Sequence, residues 1–236
     1  MKTKIEGLKI PYEVRNSEEA SKPRIDHKLG EFTVVIPEEM DLDPEELLNR
    51  KKNWVSKKRQ EFLRFKRKIP DRNYAEGGKI EILGEKKEII VEQRRSNKVG
   101  NEIRLAEHLV ERTSLKEQLE KALRDKAREV IERNLEQYSS EISKDYNDIF
   151  IRDQETRWGS CSGKSNLNFN WRLIFGPEQV LEYVVVHELV HLEEKSHNEE
   201  FWSRVREIYP QYKEANRWLA EESSNLVFDK SLIEAS

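Results

Sequence analysis

The stretch 184–202, VVVHELVHLEEKSHNEEFW, holds three of the chain's five histidines and sets a glutamate in an otherwise apolar run. The longer segment GPEQVLEYVVVHELVHL reads as a helix with Pro177 near its start and Val180, Leu181, Val184, Val185 and Leu189 on its buried face. An ionised carboxylate in such a helix is costly unless something pairs with it. His187 and His191 lie four residues apart. At about 3.6 residues per turn, that spacing places both imidazoles on one face, one turn apart. Two neutral ring nitrogens so placed can grip one metal ion at about 2.0–2.1 Å each. Glu188 follows His187 at an adjoining angle, where it can take a proton from water activated by the metal.

A catalytic zinc site needs a third protein ligand and an open position. The next candidate is His197, six residues past His191. A continuous helix would turn it away from the other two, so the helix must end between Leu192 and His197. Ser196, with Glu199 three residues on, has the pattern of a new helix cap, which places His197 in that helix's first turn. One Zn2+ per chain is the expectation, held by His187, His191 and His197, with Glu188 as the catalytic base. Metzincins share the histidine spacing, but they carry a glycine before the third histidine and a later methionine turn. Here LEEKS has no glycine, and the only methionines are Met1 and Met40.

The long run TRWGSCSGKSNLNFNWRLIFGPEQVLEYVVVHELVHLEEKSHNEEFW, with the trailing YPQYKEANRWL, resembles the YgjP-like metallopeptidases, a zincin family. The likeness extends more loosely to FTVVIP, the basic helix and YAEGGKIEILGEKKEIIV. The resemblance implies that His187, His191 and His197 are zinc ligands, that Glu188 is the base, and that RWGSCS forms an edge strand or turn beside the cleft. It is also similar to SprT-like and other small zincins, some of which act on DNA-associated proteins. A zinc-dependent peptidase acting on protein or peptide is therefore expected. Trp158, Gly159 and Ser160 are candidate substrate-binding residues, with Gly159 allowing close approach of a substrate backbone. Tyr183, Arg157, Asn170 and Tyr209 are candidate donors to the oxyanion. Cys161 reads as a small buried side chain, Phe201 and Trp202 as core, and His27 and His108 as surface residues.

Around this motif the chain reads as an α+β protein. A small antiparallel β region with one basic helix, residues 1–100, precedes a minimal zincin-type domain, residues 101–236. LKIPYEV and EFTVVIP have strand composition. Asp43 and Pro44 open a helix through residue 68, with Leu47, Leu48, Trp54, Val55, Phe62 and Phe65 as its buried stripe. KIEILGEKKEIIVEQ reads as a hairpin turning at Gly84. TSLKEQLEKALRDKAREVIERNLEQY is a helix opened by Ser114 and Glu117, with Leu115, Leu119, Ala122, Leu123, Val130 and Ile131 inward.

Charge separates along the chain. Residues 50–68 hold ten Lys or Arg and one Glu, whereas residues 178–223 hold eleven Glu and five Lys or Arg. The basic segment raises an alternative reading: a nucleic-acid-associated accessory or binding protein with a structural zinc. No stretch approaches the roughly 20 apolar residues of a bilayer span, so no membrane partner is expected. The N-terminus lacks an apolar signal core and the single cysteine cannot form an internal disulfide, which gives a cytoplasmic expectation.

Overall fold

The computed structural model describes residues 1–28, 30–154 and 157–228. They form two compact units that meet in sequence at Ile69 and Pro70. In the first unit the strands are β1 (Lys2–Ile5), β2 (Leu8–Ser17), β3 (Arg24–Lys28) and β4 (Glu31–Pro37), in sheet order β1-β2-β4-β3. β2 and β4 pair in parallel and the outer pairs are antiparallel. The sheet is therefore mixed rather than antiparallel. Ile10, Phe32, Val34 and Leu48 are fully buried over it.

The expected single basic helix is two: α1 (Pro44–Arg50) and α2 (Lys52–Lys68), broken at Lys51. The Asp43 side chain caps α1 by accepting from the Glu45 backbone N–H. Val55 and Phe62 are buried in α2, but Trp54 is 39% exposed and lies outside the expected stripe. His27 is half-buried against Phe32 rather than on the surface.

The second unit opens with β5 (Lys79–Ile82), β6 (Glu85–Glu92), β7 (Lys98–Val99) and β8 (Ile103–Ala106), in order β5-β6-β8-β7. The β5–β6 hairpin turns through Leu83 and Gly84, both at positive φ (52° and 78°), the conformation of a tight two-residue hairpin turn. Leu83 is held there: its N–H donates to the Ile174 carbonyl at 2.7 Å. The hairpin's Ile80, Ile82 and Ile89 join the same core as the helices that follow. That shared core puts the division of the chain at residue 69, not near residue 100.

α3 (Glu107–Arg112) leads to α4 (Leu115–Tyr138), whose N-cap Ser114 accepts from the Glu117 N–H. Leu119, Ala122, Leu123, Val130 and Ile131 are all buried along it. A second sheet follows: β9 (Ile149–Arg152), β10 (Gly159–Cys161) and β11 (Leu167–Asn170), in order β10-β11-β9. β11 pairs with β9 in parallel and with β10 antiparallel, leaving β10 at the edge. α5 (Glu178–Glu193), α6 (Glu199–Ile208) and α7 (Tyr212–Glu222) complete the unit. α5 buries side chains around most of its circumference, as a helix through a core does. No helix among the described residues is long and apolar enough to cross a membrane.

Candidate metal centre

α5 ends at Glu193, and Glu194 is extended (φ −125°, ψ 117°). The Glu194 carboxylate then accepts from both the backbone N–H (3.0 Å) and the hydroxyl (2.7 Å) of Ser196. Ser196 is thus spent on the turn. α6 is capped instead by Asn198, whose side chain accepts from the Phe201 N–H at 2.9 Å. His197 therefore sits just before the cap rather than in the first helical turn, and the reversal carries it back over α5.

The reversal brings His187, His191 and His197 together, one ring nitrogen from each within 4.8 Å of the others. Nε2 of His187 and Nε2 of His197 are 3.0 Å apart. The Nδ1–H of His191 donates to the Glu194 carbonyl at 3.0 Å, which leaves its Nε2 bare. Nδ1 of His187 lies 3.4 Å from the Tyr183 hydroxyl. Beneath the cluster is Phe201, fully buried, with its ring centroid 4.5–4.9 Å from those of all three imidazoles. His197 also stacks on Trp202 at 5.7 Å. Burial and the two neighbouring rings push the His187 pKa down to about 3, so its lone pair is available at neutral pH.

These residues fit a metal ion. Bonds of about 2.0–2.1 Å in tetrahedral array place ligand nitrogens about 3.3 Å apart. Two imidazole nitrogens at 3.0 Å need either one proton or one cation between them. Three imidazoles grouped with no carboxylate among the described residues suit the cation better.

Glu188 is 5% exposed. Burial raises its pKa to about 8, against the lowering influence of Arg157, the Cys161 backbone N–H and Lys195. Its Oε2 has no hydrogen-bond partner among the described residues. Gly159 lies directly against this carboxylate: a β-carbon there would fall 2.5 Å from Oε1. The glycine thus makes room for Glu188, where the sequence suggested room for a substrate backbone. Trp158 is half-buried against the core and its carbonyl accepts from the Asn170 N–H at 2.8 Å. Ser160 pairs with Asn168 in β10. Cys161 is half-buried, with its sulfur 3.2 Å from Lys195 Nζ.

The four oxyanion candidates separate. Asn170 is fully buried and committed: its Nδ2 donates to the carbonyls of Gln154 (2.6 Å) and Arg157 (3.1 Å), and its Oδ1 accepts from the Arg172 N–H. Tyr209 donates to the Gln179 carbonyl and to Glu182, near the far end of α5 from the histidines. Tyr183 and Arg157 remain beside the site. His108 is exposed and stands apart on α3. Sequence reasoning did not give Phe201 and Asn198 their supporting roles here, nor Gly159 its role in seating Glu188. The one signal available was Asn immediately before the acidic pair Glu199 and Glu200, itself a helix-start pattern.

Among solved structures, the metallopeptidase zymogen of Pyrococcus abyssi abylysin is 23% identical over 41% of this chain and 99% of its own, with a TM-score of 0.36. The metallopeptidase zymogen of Methanocaldococcus jannaschii jannalysin is 22% identical over 41% of this chain and 88% of its own, with a TM-score of 0.33. No curated protein matches the sequence. The model of the YgjP-like metallopeptidase domain matches residues 22–222, most of the chain's length. The protein therefore belongs to the YgjP-like metallopeptidases, and is a metal-dependent hydrolase of peptide bonds.

Proposed function

We propose that this is a zinc peptidase in which His187, His191 and His197 hold one Zn2+ and Glu188 is the general base. The observation that carries the reading is the convergence of three imidazole nitrogens, two from α5 and one from the reversal after it, next to Glu188, a buried carboxylate with an oxygen unpartnered among the described residues. When bound, zinc supplies Lewis-acid polarisation of the scissile carbonyl and acidifies water to a pKa of about 7. Glu188 would be held in the ionised form that a base requires by a divalent charge beside it.

Glu188 takes a proton from the attacking water and passes it to the departing amine. The Glu194 carbonyl fixes the tautomer of His191, and the Tyr183 hydroxyl orients His187. Arg157, exposed and acting electrostatically on Glu188, is the best-placed donor to the developing oxyanion. The substrate runs as an extended peptide along the free edge of β10. Trp158 and Ser162 turn their backbone groups toward β11, so by alternation Gly159 and Cys161 turn theirs away from it: the Cys161 N–H meets Glu188, and the Gly159 groups and the Cys161 carbonyl face the open side. Trp158 and Ser160 flank that edge.

The test is Glu188→Gln. It should abolish cleavage of an unstructured protein such as casein while elemental analysis still finds one zinc per chain. Undiminished cleavage by the variant overturns the assignment. Nucleic acid as an additional partner rests on one observation, the basic residues such as Lys57, Arg64 and Arg67 that α2 keeps off its buried face. A salt-titrated mobility shift decides it: binding that is absent, or indifferent to salt, removes that partner.

A further inference from the structure

We propose that the unit Pro70–Phe228 carries a second binding site, for an alkylammonium or alkylguanidinium cation, in a pocket of about 530 Å³ lined by the C-terminal end of α4, the start of α5, and α7. Three aromatic residues wall it: Tyr138 and Tyr209, whose rings meet edge to face at 6.3 Å, and Trp218. Two carboxylates, Glu182 and Glu214, face the same space, and among the described residues no lysine, arginine or histidine lines it. Among the described residues neither carboxylate has a cationic partner within ion-pair distance. Val180 and Ile208 add an aliphatic surface suited to an alkyl chain.

The chemistry selects one ligand class. Aromatic faces attract a cation through their quadrupole, and two carboxylates in the same concavity reinforce that attraction while repelling anions. A hard metal ion is a poor occupant, because it wants about six or more oxygens and much of the remaining wall, Pro177, Val180, Ile208, Ala215 and Trp218, is apolar. An organic cation matches both parts: its charged head meets the carboxylates and rings, and its methylenes meet Val180 and Ile208.

The pocket is preformed. The Tyr209 hydroxyl donates to the Gln179 carbonyl at 3.0 Å and to Glu182 Oε2 at 3.1 Å, which fixes one wall and leaves the other Glu182 oxygen for a ligand. Trp218 packs over Gly176, where a β-carbon would come within 3.2 Å of the indole. It is also separate from the metal centre. Glu182 precedes His187 by five residues, about 140° around the helix. The two sites share no residue.

The cation has two possible sources: a free small amine or guanidine, or a lysine or arginine side chain on a polypeptide. Calorimetric titration of the full chain separates them, using n-butylammonium and n-butylguanidinium, with n-butanol as the neutral isostere. A blocked Ala-Lys-Ala tripeptide and its norleucine counterpart form the second arm. The proposal expects saturable binding of at least one cationic probe, none of butanol or the norleucine peptide, and weakening by about fivefold or more in Glu214→Gln and in Glu182→Gln, the scale of one cation contact. Glu214 is exposed, so that variant leaves the fold intact. Binding of the free cations alone assigns a small-molecule site, and binding of the lysine peptide alone assigns a polypeptide site. Absence of saturable binding by every cationic probe, or binding that both glutamine variants leave unchanged, overturns the proposal.

Discussion

Gly159 and the Glu188 carboxylate occupy adjoining space so fully that a β-carbon on the glycine would lie 2.5 Å from Oε1, 2.6 Å from Cγ and 2.8 Å from Cδ. Those contacts run along the Glu188 side chain, so a small torsion of its tip does not relieve them. Gly159→Ala should displace Glu188 and cut peptide hydrolysis by about 10²-fold, the scale of a misplaced catalytic group, while bound zinc stays stoichiometric. Kinetics beside elemental analysis checks this. Full activity in the alanine variant would show that β10 can retreat from α5.

Glu188 also makes the metal-free protein respond to pH in a definite sense. Its pKa is about 8 in the fold against 4.5 for an ordinary glutamate. Between those values the folded chain holds a proton that the unfolded chain has released. This group's contribution is therefore full below about pH 4.5 and is lost as pH rises to about 8. His187 acts in the opposite direction. Its pKa is about 3 in the fold against 6.5 free, so stability is lost as pH falls from 6.5 toward 3. The two effects oppose each other between pH 4.5 and 6.5. In chelated Glu188→Gln only the histidine effect remains, and its Tm should exceed the parent's by a margin that widens from pH 5 to pH 8. Melting curves in a chelating buffer series test this, and a margin independent of pH would refute the assignment of the shift to Glu188.

Asn170 supports the same region from below. It is fully buried, and its amide ties the Gln154 and Arg157 carbonyls while its oxygen accepts from the Arg172 N–H. Asn170→Ala leaves two part-buried carbonyls short of a donor. It should destabilise the fold by about 2–4 kcal/mol, with zinc affinity less affected than stability. Denaturant unfolding measures the first and metal titration the second.

Local patterns in the sequence were legible where the structure rests on neighbours in the chain. Strand Glu31–Pro37 follows from its β-branched run, and helix Leu115–Tyr138 from Ser114, Glu117 and a periodic apolar face. The proximity of His187, His191 and His197 follows from one helical offset and one forced reversal. What escaped depends on distant segments. The parallel pairing of β2 with β4 is set by which strand docks beside which, and strand composition is silent on that. The hairpin 79–92 belongs with α4 because its isoleucines share that helix's core, a fact with no local signature. Gly159 reads as a place for close approach of a substrate backbone until Glu188 is seen to fill the space beside it. Ser196 and Asn198 are both good caps by composition, and the choice fell to Asn198 because the Glu194 carboxylate engages Ser196.

That choice of cap positions the third histidine. His197 lies between the turn closed by Glu194 and Ser196 and the helix start fixed by Asn198, with its ring stacked on Trp202. Losing the Asn198 cap costs about 1 kcal/mol of stability and lets the first turn of α6 fray, which frees His197 from its approach to His187. Asn198→Ala should therefore weaken zinc binding by about 10-fold, in the range seen for groups that orient metal ligands. Asn198→Asp and Asn198→Ser, which restore an oxygen acceptor for the Phe201 N–H, should recover most of that affinity. A merely destabilising role predicts a lower Tm in the alanine variant with zinc affinity unchanged below the melt. Competition titration against a chelator at 25 °C, set beside the melting curves of all three variants, separates the two.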